Sequence, residues 1–104
     1  MSSGSAQALA SCKKLIEHEH DTFLHAKWNA KDSGTMDSFP EDLYRARLAA
    51  MDRAIVDVSR QGDTLAGGES VIEGFLSSTL AAIGDSPENI YFLSELRRKL
   101  KTIC

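Results

Sequence analysis

Residues 38–62 read SFPEDLYRARLAAMDRAIVDVSRQG, and this stretch decides the fold. Tyr44, Leu48, Met51, Ile55 and Val58 recur at alternating steps of four and three residues. That spacing gathers them on one side of a helix, in the a/d pattern of a helix–helix seam. The ends are signalled as well. Ser38 and Glu41 have the S-x-x-E form of a capping box, in which each side chain takes a backbone N–H near the other. Pro40 falls in the first turn, where its missing N–H costs nothing. Glu41 and Asp42 sit at the positive end of the helix dipole and Arg60 near the negative end. Gly62 is suited to the left-handed conformation that closes a helix. At 1.5 Å per residue such a helix runs roughly 35 Å and needs partners of similar length.

Toward the N-terminus, no Gly or Pro interrupts residues 6–31. Leu9, Cys12, Ile16, Phe23 and Ala30 follow helical spacing, with Glu19 and Ala26 in the same stripe. Leu15, Leu24 and Trp28 form a second stripe. Residues 1–5, MSSGS, are small and polar and are expected to be a disordered tail. Residues 32–37, DSGTMD, form a loop by composition. Phe39 is placed to act as a hydrophobic staple on Leu43.

Toward the C-terminus, residues 62–68 carry three glycines and form the second loop. Val71, Ile72, Phe75, Leu76, Leu80 and Ile83 cover more than half the circumference of a third helix. Gly74 is expected to permit close contact with an alanine of another helix. Gly84 ends that helix, and Asp85 or Ser86 caps the next one before Pro87. Ile90, Leu93, Leu96 or Arg97, Leu100 and Ile103 form its stripe, which Tyr91 and Phe92 broaden. The chain is therefore predicted to be all-α, a small bundle of four helices over about residues 6–31, 39–61, 69–83 and 87–102. Residues 6–104 form its single domain.

The totals narrow the function classes. With 104 residues there is room for one domain. Apolar content of 42% and charged content of 26% suit a globular protein. The net charge of −3 argues against a dedicated nucleic-acid binder. Cys12 and Cys104 are too few for a disulfide framework and read as thiols in a reducing compartment. No basic-then-apolar leader opens the chain and no apolar run is long enough to span a membrane, so a cytoplasmic location is expected.

Four groups of residues are site candidates. All three histidines lie in or just after Glu17-His18-Glu19-His20-Asp21, and His18, Asp21 and His25 share one side of a helix. Imidazole and carboxylate are ligands for zinc or iron. The run LIEHEHDTFL at 15–24 resembles helices of hemerythrin-like di-iron bundles. The resemblance covers about ten residues and implies metal ligands drawn from several helices. No histidine follows His25, so a second helix offers only carboxylates. The second group, Arg97, Arg98, Lys99 and Lys101, could engage phosphates, but its cations also sit where they complement the dipole of the last helix, and no glycine-rich loop or reading helix accompanies them. The third search, for catalytic motifs, finds no nucleophile elbow, phosphate loop or dinucleotide fingerprint, so no enzyme and no cofactor are expected. The fourth group is apolar: Leu24, Trp28, Phe39 and Tyr44 stand off or beside the main stripes, and aromatic anchors ringed by charge make protein contacts. The sequence thus reads as a small non-catalytic regulatory or adaptor protein that works by protein–protein binding. An anti-activator or inhibitor that blocks the dimerisation of a transcription regulator is one example, and a homodimer is compatible with it. A metal-binding bundle using His18, Asp21 and His25 is the alternative.

Overall fold

The computed structural model describes residues 3–61 and 67–103. It is an all-α bundle of four helices: α1 Ser3–Ser33, α2 Glu41–Arg60, α3 Gly68–Ile83 and α4 Pro87–Ile103. A short 3-10 turn, Met36–Ser38, lies between α1 and α2. The molecule measures 48 × 24 × 20 Å. At 1.5 Å per residue the 31 residues of α1 alone span about 46 Å, so α1 runs the whole length.

Side-chain pairs fix the directions. Lys27 meets Glu41 and His20 meets Asp52, so α2 runs antiparallel to α1. Ser78 donates to the Asp57 carboxylate and Ala82 lies beside Ala50, so α3 reverses again. Glu73 pairs with Arg97 and Glu19 with Lys99, which turns α4 antiparallel to both α3 and α1. The three residues Gly84–Ser86 make the sharp turn between α3 and α4. Gly84 takes φ 94°, which disfavours side chains with a Cβ. The Asn89 side-chain amide donates to the carbonyls of Ile83 and Gly84, and the Ser86 hydroxyl accepts the Asn89 N–H at 3.4 Å, as expected of a helix cap.

The core takes the stripes from all four helices. Ala8, Cys12, Leu15 and Ile16 of α1 meet Met51, Ala54 and Val58 of α2, Val71, Phe75 and Leu76 of α3, and Leu93, Leu96 and Leu100 of α4. The α2 seam behaves as its spacing predicts: Leu48, Met51 and Val58 are buried, and Ile55 packs against the core. A second apolar cluster lies at the other end of α1. Phe23, Phe39 and Tyr44 stack with ring centroids 5.2–6.0 Å apart.

Several local expectations differ from the structure. Of the tail expected over 1–5, residues 1 and 2 lie outside the described residues, while Ser3–Ser5 belong to α1 and Ser5 is buried. The cause is a close crossing. A Cβ built on Gly68 would stand 2.9 Å from the Gly4 carbonyl oxygen, so small residues let α1 and α3 touch backbone to backbone. Gly74, by contrast, has an ordinary contact with Val58 and approaches no alanine. The capping box does not form. Ser38 sits in the 3-10 turn and its hydroxyl donates to the Thr35 carbonyl, while Pro40 occupies the cap position of α2. Glu41 instead takes Lys27 and Arg45. Phe39 turns to Phe23 and Tyr44, and Leu43 stays exposed, so the staple is absent. Residues 62–66 of the loop expected over 62–68 lie outside the described residues, Gly62 among them, as does Cys104; Gln61 closes α2, donating its N–H to the Asp57 carbonyl.

Candidate functional site

The outer side of α1 carries the largest exposed apolar residues of that helix. Trp28 is 72% exposed and Leu24 59% exposed, one turn apart. Leu15, read with them as one stripe, is fully buried. Nine residues separate Leu15 from Leu24, which at 3.6 residues per turn puts them about half a turn apart. The outer face therefore begins with Leu24. Glu17, Asp21 and Lys31 are exposed on the same side.

Phe39 and Tyr44, proposed with them from the sequence, have a different place. Both are half-buried and stacked with Phe23, which is itself buried. Lys27 Nζ lies 5.9 Å from the Phe23 ring centre and the Arg45 guanidinium 5.4 Å. These cations gain from the negative faces of the ring. Phe39 and Tyr44 also line an open cleft with Ala26, Asn29 and Pro40. The four residues thus divide into an exposed pair on α1 and an aromatic cluster that locks the α1–α2 connection.

Glu41 ties this cluster together, accepting from Arg45 Nε at 2.7 Å and Lys27 Nζ at 3.3 Å. The hydrogen bond from Arg45, then that from Lys27, holds its carboxyl below the ordinary value of 4.5. The folded pKa lies below the unfolded one, so this stabilisation is fully present above about 4.5 and is lost as pH falls through the folded value. Melting temperatures taken across the acid range should therefore decline less steeply in Glu41→Gln than in the parent. Equal slopes would mean that the two cations do not favour the ionised carboxyl.

The histidines are dispersed. His18, Asp21 and His25 are all exposed on α1. Among the described residues no three His, Cys, Asp or Glu side chains converge where they would hold one metal ion. His18 shares a cleft with Lys14 and Lys99, whose charges oppose a cation there. His20, not His18, meets a carboxylate of a second helix, with Nε2 3.6 Å from Asp52.

Two of the four cations near the end of α4 reach other helices, Arg98 pairs within α4, and Lys101 is exposed. Arg97 makes a two-pronged pair with Glu73, Arg98 binds Glu95, and Lys99 reaches Glu19 at 2.6 Å. The hydrogen bonds from Arg97 and Arg98 lower the carboxyl pKa values of Glu73 and Glu95. Glu19 pairs with Lys99 across 80 residues. The only sequence signal of this pair is a carboxylate inside an apolar stripe.

Among the described residues no helix is long and apolar enough to cross a membrane. No protein-family model matches the chain, and no curated protein or solved structure matches it.

Proposed function

We propose that the chain is a small non-catalytic regulatory or adaptor protein that docks on another protein through the outer face of α1. The observation that carries this reading is the exposure of Trp28 and Leu24, one turn apart, outside the core that the four helices share. A tryptophan in water forgoes stabilisation that a docking partner would supply. Burying a large apolar side chain contributes about 1.5–3 kcal/mol. Trp is also a frequent anchor because it brings a large contact area with little conformational freedom to lose. The mechanism is steric. The bundle holds α1 rigid, and its outer face occupies a helix-sized groove that a partner, such as a transcription regulator, would otherwise use for its own association.

The test is Trp28→Ala. An exposed side chain contributes little to folding, so stability should change by less than about 0.5 kcal/mol. Affinity for a partner retained by the wild-type chain should fall roughly 30-fold, as for an anchor worth about 2 kcal/mol. Titration calorimetry with purified partner reads the second value. A variant that unfolds, or one that binds as tightly as the parent, removes Trp28 as an anchor.

A further inference from the structure

We infer that the outer face of α1 takes a second copy of this chain, laid antiparallel along it. The inference rests on the docking reading above and names the partner of the same face. Glu17, Asp21, Leu24, Trp28 and Lys31 are spaced by four, three, four and three residues, and all are exposed. This is the a/d spacing of a helix–helix seam, the same pattern that α2 turns toward the core. Here it points outward.

The charges along the seam are ordered. Two carboxylates lie at its N-terminal end, two apolar side chains in the middle and an ammonium at the C-terminal end. In an antiparallel pair, each a position faces a d position of the other helix. A twofold axis between Leu24 and Trp28 then sets Leu24 on Trp28 of the second copy and Asp21 on Lys31 of the second copy. Both contacts occur twice by symmetry, as an isologous interface requires. A parallel pair would set Asp21 on Asp21 and Lys31 on Lys31, which repels at both ends. The segment Asp21–Lys31 is self-complementary in one orientation, and Glu17 lies beyond the paired positions because its counterpart would fall past the end of α1. The seam is short, with only Leu24 and Trp28 as apolar contacts on each copy, so the pair should dissociate on dilution.

Light scattering behind a sizing column, over a series of concentrations, tests this with four proteins. The parent should pass from the chain mass toward twice that mass as concentration rises. Asp21→Lys sets Lys on Lys31, and Lys31→Asp sets Asp on Asp21. Each alone should raise the dissociation constant at least 10-fold. Their equimolar mixture should recover the parent's dimer, because both contacts then pair Lys with Asp. Trp28→Ala should weaken the parent's dimer, and circular dichroism should show every variant folded. A parent that is monomeric throughout overturns the self-pairing; if Trp28→Ala still loses a different protein partner, the docking reading survives it. A dimer that ignores all three substitutions uses another surface and also overturns the inference. Two charge variants that remain monomeric when mixed exclude the antiparallel register.

Discussion

Phe75→Ala should lower the stability of the fold by about 3–5 kcal/mol, the largest loss expected of any single truncation in the chain. Phe75 has no solvent exposure and is the largest of the fully buried side chains. It belongs to α3, which packs against each of the other three helices. Its removal would open a cavity bordered by several elements, none of which can close it without losing contact with another. The loss compares with a total of about 5–15 kcal/mol for an ordinary domain. At about 4–8 °C per kcal/mol for a domain near this size, melting should drop by roughly 12 °C or more. Urea unfolding followed by circular dichroism measures it. The informative comparison is with Trp28→Ala. That change deletes a larger side chain and should leave the midpoint almost where it was. Equal losses in the two variants, measured where the parent is monomeric, would mean that Trp28 packs within its own chain, and the docking face would go with it.

That contrast also shows where sequence reasoning succeeds. The α2 seam was legible because burial on a helix follows its own period, and the 4-3 spacing from Tyr44 to Val58 needs no knowledge of the rest of the chain. The exposed pair was half legible. Leu24 and Trp28 stand off the main stripe of α1, but Leu15, which the sequence places in the same stripe, lies on the opposite side of the helix and is buried. The placement of Phe39 and Tyr44 depends on Phe23, which reaches them only after α1 and α2 fold back on each other. The helical state of Ser3–Ser5 depends on Gly68, again through a crossing that local composition does not encode. His18, Asp21 and His25 do share a side of α1, as their spacing says. What stands opposite His18 is decided by the position of α4, and it is Lys99. Period and caps are local properties; the partner of an exposed or charged residue is not.

Lys99→Ala should cost about 2–3 kcal/mol, more than an exposed ion pair is worth. Glu19 is 8% exposed, held in the stripe between Ile16 and Phe23, with Lys99 Nζ at 2.6 Å. Removing the lysine leaves a carboxylate largely out of water with its counter-charge gone. The full penalty of a sealed pair, about 3–5 kcal/mol, is not expected, because the Lys99 side chain is 28% exposed and water can enter where it stood. Glu19→Met with Lys99→Met tests the cause. If the cost is that of an orphaned charge, the double variant removes both charges together and should lie within about 1 kcal/mol of the parent. Chemical denaturation of the parent, Glu19→Met, Lys99→Met and the double variant gives the coupling directly. A Lys99→Ala loss below about 0.5 kcal/mol would mean that Glu19 is hydrated in solution. The pair also distinguishes one alignment of α4 on α1 from its neighbours. A slip by one helical turn moves Lys99 by about 5.4 Å and strands the same carboxylate, whereas the leucines of α4 would find apolar surface in either position. A double variant that keeps its stability but melts over a broader range would therefore assign the pair to register, with the surrounding core supplying the energy.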